Sequence, residues 1–177
     1  MRFRSIVLAL ALAACAATPP GVSRQLAPAD AATALFTGAG LRMSVSAPRA
    51  GADGADPLIL MRLAHADGRV MAFEEANHTP NDLMAQAPDG PLAQVMGLFG
   101  GEQPTLYTAR PNEHRGAPFL CGPEGPAAIG YYADEQGGVQ IVGLKRMFQF
   151  EPDGMGGMGA LPYSPDQVCA RLRLRLS

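Results

Sequence analysis

Tryptophan is absent from this 177-residue chain, and aromatic residues of all kinds make up only 6% of it. A carbohydrate platform of stacked indoles is therefore excluded, while one built from Tyr or Phe stays open. Lys145 is the single lysine, and 14 basic against 16 acidic side chains leave a formal net charge of −2. So weak a positive field cannot neutralise a run of phosphates, which excludes nucleic acid as a partner. Also missing are a Gly-x-Ser-x-Gly elbow, a Gly-rich phosphate loop carrying Lys and a His-Glu-x-x-His helix. Those motifs place a nucleophile, a phosphate or a zinc ion. Without them the expectation is a protein that is not an enzyme and carries no cofactor. No apolar run approaches the roughly 20 residues that a membrane-spanning helix needs.

What is present begins at residue 2. Arg2 and Arg4 form a positive n-region, residues 6–14 are apolar, and Leu12-Ala13-Ala14-Cys15 closes the stretch. This is the pattern of a removable export signal. The cysteine directly after Leu-Ala-Ala resembles the lipobox of bacterial lipoprotein precursors, whose lipidated cysteine becomes the new N-terminus. The resemblance is confined to the first 15 residues, and an ordinary secretory signal with an incidental cysteine is the competing reading. It implies a signal peptide over 1–14, lipidation at Cys15, a tether over 15–28 and a globular envelope domain over 29–177. The partner implied is a membrane, reached through the N-terminal lipid. One acyl chain holds a protein only marginally, whereas two or more hold it stably, at about 0.8 kcal/mol per buried methylene. Ala16 is not the acidic residue that resembles an inner-membrane retention signal, so the location implied is periplasm-facing and leans toward the outer membrane.

Export sets the redox compartment. With Cys15 acylated, Cys121 and Cys169 remain, an even number where disulfides persist, and a bridge between them is the natural reading. The alternative makes Cys121 a nucleophile assisted by His114. Loss of Arg2 and Arg4 with the signal leaves 12 basic against 16 acidic groups. The remaining length suits one domain with a real core.

Spacing along the chain then predicts the elements. Residues 16–28 are small, Pro-containing and aperiodic, as a tether should be. Asp30 is placed to cap a short helix over 30–36 that ends near Gly38. Leu41, Met43, Val45 and Ala47 alternate with polar residues, giving a strand with one wet face, and 50–56 reads as a loop. Runs at 58–65 and 70–74 flank Ala66-Asp67-Gly68-Arg69, a hairpin signal with the residues that a type I′ turn favours. Thr79-Pro80-Asn81-Asp82 opens a helix with a hydroxyl cap and an acidic third position. Leu92, Val95, Met96 and Phe99 form one apolar helical stripe, read as core and ended by Gly100-Gly101. Strands follow at 105–109, 118–121, 127–133 and 139–144, the last two joined across 134–138. The glycine-rich stretch 153–161 reads as a mobile loop. Ser164-Pro165-Asp166-Gln167 starts a helical turn, and Leu172, Leu174 and Leu176 then alternate with Arg171, Arg173 and Arg175 in a terminal strand. The fold class expected is α+β, a single domain of mostly antiparallel sheet with six to eight strands and two or three short helices. A small β-barrel is the alternative.

Chemistry-bearing residues are sparse. Met155-Gly156-Gly157-Met158 offers two thioethers, soft ligands that suit Cu(I), but two are too few for a closed site. Periplasmic copper handling through Met155 and Met158 is therefore the second functional reading. Glu74 and Glu75 are adjacent in a strand and point to opposite faces, so only one of them can serve a site near His78. His65 reads as a surface hairpin residue and His78 as an aid to the helix cap. Arg110, His114 and Arg115 gather in a loop, where binding groups are often placed. With Tyr131 and Tyr132 they are the candidate contacts. The leading reading is a lipid-anchored, noncatalytic binding or accessory module of the cell envelope, with an envelope protein as its partner.

Overall fold

A computed structural model describes residues 21–46, 59–154 and 156–177. Among these residues ten strands run in chain order as β1 Val22–Pro28, β2 Leu41–Val45, β3 Leu60–His65, β4 Val70–Glu75, β5 Thr105–Ala109, β6 Ala128–Ala133, β7 Gly138–Leu144, β8 Phe150–Pro152, β9 Met158–Ala160 and β10 Val168–Leu176. Strands β1 to β7 each pair antiparallel with the next, β10 pairs with β7, and β10 closes on β1 through Leu26↔Leu176 and Pro28↔Leu174. The result is a closed eight-stranded barrel, with β8 and β9 as a separate two-stranded ribbon. Three short helices accompany it: α1 Ala31–Thr37, α2 Pro80–Ala85 and α3 Pro91–Met96. Of the two architectures expected, the small barrel is the one adopted. Closure removes the free sheet edges that an open α+β sheet would expose.

Period-2 patterning explains where the core lies. Met43, Met61, Leu63, Met71, Phe73, Ile129, Ile141, Leu172 and Leu174 point inward and are buried. Eight strands enclose a space that side chains can fill, and here they do. On β10 the alternation is clean because Arg171, Arg173 and Arg175 face water. On β7 it fails, since Val142 and Leu144 on the outer face are covered by α3 and its surroundings, packing with Leu92, Met96, Leu106 and Phe148 as a second core. A strand buried on both sides carries no polar alternation.

Several expectations are corrected. The tether does not extend to residue 28, because Val22–Pro28 is β1, held between β2 and β10. Residues 15–20 lie outside the described residues, as do Leu58 and the loop read at 50–56. The β3–β4 connection is not a type I′ turn. Among the described non-glycine residues only Asp89 and Cys121 have positive φ, so Asp67 does not. Gly68 at φ 92° follows a turn closed by Gly68 N–H to the His65 carbonyl at 3.0 Å, and one left-handed glycine after an ordinary turn gives a three-residue loop. Helix α3 stops at Gly97, left-handed at φ 75°, so Phe99 leaves the stripe and is 78% exposed. No strand forms at 118–121; Phe119 and Leu120 instead enter the barrel core. Of the glycine-rich stretch read as a loop over 153–161, residues 158–160 form β9, paired with β8, while residues 153, 154, 156 and 157 lie between the two strands.

Cys121 and Cys169 are joined by a disulfide, with Cα atoms 5.0 Å apart. The β10 register slips between Val168 and Ala170. A bulge re-aims a side chain, and here it falls at Cys169. The bridge fastens the segment carrying Phe119 and Leu120 to the closing strand.

Candidate functional site

Glu75 ends β4 directly opposite Tyr107 of β5, and Thr105 lies opposite Tyr131 of β6. Cross-strand partners share a face, so these four belong to the inner face at one rim of the barrel. Tyr107 and Tyr131 meet edge-on, with centroids 6.4 Å apart and planes at 85°. Burial pushes both phenols up; Glu75 and Tyr131 push Tyr107 further, while Arg24 partly offsets the shift at Tyr131. Burial likewise raises the Glu75 carboxyl above its ordinary value, opposed by the positive influence of His78.

A pocket of about 450 Å³ opens beside this rim, lined in part by Glu75, Asn77, Leu83, Gln86, Gln103 and Thr105. Its wall is set by α2, which the sequence starts firmly. Thr79 accepts from the Asp82 N–H, and the Asp82 carboxylate accepts from the Thr79 N–H at 3.0 Å. Gln86 at the C-terminal end of α2 then fastens the helix to the strands. Its amide donates to the Ala76 and Asp82 carbonyls, and its oxygen accepts from the Leu106 N–H at 2.8 Å. Asn77 is different. Its Oδ1 is buried without a hydrogen-bond partner, and among the described residues no other buried side-chain nitrogen or oxygen is so placed. An unmet buried acceptor costs about 1–3 kcal/mol. Glu75 lines the same pocket, so a carboxylate acceptor and a residue with an unmet acceptor share one wall.

Of the candidate contacts read from sequence, only Tyr131 stands at this rim, where Glu75 joins it. Tyr132 points outward and packs against the second core. Arg110 pairs with Glu74 and, at 3.1 Å, with Glu113, which also meets Arg62 at 3.0 Å. His78 joins the same outer-surface network through Glu74 at 3.1 Å. The two glutamates do part as expected, Glu74 outward into this network and Glu75 to the rim. His114 sits 3.2 Å from the Ala72 carbonyl and against the Phe73 ring. Arg115 exchanges backbone hydrogen bonds with Val70. The 110–115 segment is thus bound along β4, and its polar groups are largely occupied. With Cys121 in a disulfide and His114 engaged by β4, the nucleophile alternative is excluded. His65 is more buried than a surface residue, 2.9 Å from Asp67 and against Phe119.

Met158 is half-exposed in β9, while Met155 lies outside the described residues, as does Cys15. Among the described residues no group of three His, Cys, Asp or Glu could hold an ion. A second, wider cleft of about 560 Å³ runs between α3 and the segment after β9, lined by Pro91, Val95, Pro162, Tyr163 and Arg171 among others. Arg171 is engaged there by the Val95 carbonyl at 2.7 Å. No helix among the described residues is long and apolar enough to cross a membrane.

Sequence reasoning missed Glu75 and Asn77 as a pair. Their signal was i, i+2 spacing at a strand end. No family model matches the chain, and neither the curated proteins nor the solved structures contain a match to it.

Proposed function

We propose that this chain is a lipid-anchored protein of the bacterial cell envelope, periplasm-facing and on the outer membrane, whose barrel is a noncatalytic binding module. The rim pocket takes hold of an envelope partner that supplies hydrogen-bond donors. One observation carries this reading: the unpartnered Asn77 Oδ1 beside Glu75. A folded chain tolerates such an atom at a cost, and a bound donor recovers it. Two further features support it. The barrel interior is occupied by its own side chains, so binding falls to the rim and outer surface rather than to a lumen. The disulfide belongs to an oxidising compartment.

Photo-cross-linking from Leu83 in native membranes tests the pocket. The parent chain should capture a specific partner, and Asn77→Leu should lose it while folding at least as stably, since an apolar group replaces the unmet acceptor. Undiminished capture by Asn77→Leu would overturn the pocket. The anchor is tested separately by intact mass: the expected species begins at an acylated Cys15, and a chain retaining Met1 with no acyl mass would refute it.

A further inference from the structure

Helix α1 is packed inside out. Its threonines are buried, Thr33 at 1% and Thr37 at 0% exposed, while Leu35 is 88% and Phe36 41% exposed. Ala31, Ala32 and Ala39 are exposed beside them. The buried hydroxyls are satisfied. Thr33 Oγ1 accepts from the Arg173 N–H at 2.9 Å, and Thr37 Oγ1 donates to the Thr33 carbonyl at 3.0 Å. Polar anchoring thus fixes the helix against β1 and β10 and turns an apolar ridge to solvent, the reverse of the usual surface helix.

What surrounds the ridge is cationic. Arg173 is next to α1 through that hydrogen bond, and its charge adds a little to the lowering of the Asp30 carboxyl that hydrogen bonding from Thr33 chiefly causes. Arg175 projects from β10 opposite Ala27, and Arg42 from β2 opposite Gln25. β1, β2 and β10 contain no Asp or Glu at all. An apolar ridge flanked by arginines, on strands that carry no acid and with Asp30 engaged as the cap of α1, matches a bilayer surface with anionic headgroups, into which short apolar side chains dip while guanidiniums meet phosphates. The chain upstream is short enough to matter. Cys15 precedes Gly21 by six positions, a reach of at most about 20 Å even fully extended.

We infer that α1 and the arginines of β2 and β10 form a docking face for an anionic lipid bilayer, with Leu35 and Phe36 at the acyl boundary and Arg42, Arg173 and Arg175 at the headgroups. This rests on the lipid-anchor reading for its high local concentration, because one small ridge binds weakly unless tethering makes the contact intramolecular. Helix α1 joins the Pro28 end of β1 to the Leu41 end of β2, whereas Glu75 lies toward the Val22 and Val45 ends of those strands, so docking leaves the rim pocket accessible.

The absence of tryptophan gives a clean test. The full chain carrying Phe36→Trp, recovered from cell membranes and reconstituted in vesicles of phosphatidylcholine with about one-third phosphatidylglycerol, holds a single indole reporter. Its emission should shift to the blue and be quenched by brominated acyl chains, more weakly in pure phosphatidylcholine and at high salt. Leu35→Ser should lower the docked fraction roughly tenfold, and replacing Arg42, Arg173 and Arg175 with Gln should remove the preference for phosphatidylglycerol. Emission and quenching unchanged between anionic vesicles and lipid-free solution would overturn the inference. So would a blue shift that needs no lipid and grows with protein concentration, which would assign the ridge to a second copy of the chain. The mass at Cys15 is read independently: docking without acylation would refute the anchor and leave the face standing, and acylation without quenching would do the reverse.

Discussion

A methyl group added at Gly143 has nowhere to go. Its carbon would lie 2.6 Å from Cys121 Sγ, 3.2 Å from Ala170 Cβ and 3.4 Å from Cys169 Sγ. The Gly143 backbone is not in the left-handed region, so the penalty of Gly143→Ala is steric alone, and overpacking of this kind costs about 1–3 kcal/mol. Two of the three contacts are the disulfide sulfurs. In a chain with Cys121→Ala and Cys169→Ala the same methyl enters a void, and alanine recovers the roughly 0.5–1 kcal/mol by which it outranks glycine within a strand. The two changes should therefore couple by about 1.5–4 kcal/mol, well above the ~0.5 kcal/mol within which independent sites add. The bridge itself spans 48 positions, for which the chain-entropy model gives on the order of 4 kcal/mol. For a domain of this size its loss should lower the Tm by about 8–16 °C. Guanidinium unfolding of the parent, each variant and their combination measures the cycle. If Gly143→Ala costs the same with and without the bridge, the packing argument is refuted.

Three further outcomes follow from single groups. Thr79→Ala removes one half of the capping box and should cost about 0.5–2 kcal/mol in thermal unfolding, weakening the pocket wall that α2 holds. Glu75 has a carboxyl raised by burial, so the folded state favours its protonated form. Its contribution is full below the ordinary 4.5 and is lost as pH rises through the folded value. Glu75→Gln should thus exceed the parent in urea midpoint at pH 7 and match it in acid; a deficit at pH 7 would contradict the assignment. Asp67 behaves oppositely, held down to about 2 chiefly by the Arg69 backbone N–H, with the His65 and Arg69 side chains assisting. Its contribution is present above the ordinary 3.8 and is lost as pH falls toward 2. Asp67→Ala should flatten the parent's loss of stability across that window, read as urea midpoints in steps of pH.

Where local chemistry decided the outcome, the sequence was readable. Asp30 caps α1 by accepting from the Thr33 N–H at 2.7 Å, Thr79 and Asp82 form their box, and the leucines of β10 are buried between exposed arginines. Closure was not readable in the same way. Val22–Pro28 has weak alternation and a proline at its end, and it becomes a strand because β10 and β2 each leave an edge that must be paired. Phe99 failed for a related reason: helical spacing continued on paper after Gly97 had turned the chain. The rim pocket needed long-range register, since Glu75, Thr105, Tyr107 and Tyr131 come from three strands that only the barrel brings together.

The points at which this fold breaks its own rules are few. Consistency among propensity, pattern and polar satisfaction is what specifies a structure, and departures from it concentrate where function is served. Packing does not require an apolar side chain at position 35, because Leu35 touches mostly water and the threonines already anchor α1. Nor does it require an amide at 77 whose oxygen goes unmet. One departure places apolar surface where an arginine-flanked face can meet a bilayer, and the other leaves a buried acceptor unmet in a residue that lines the rim pocket. Both are costs to an isolated chain. The proposed anchor, an anionic surface and a donor-bearing partner are the conditions under which neither remains one.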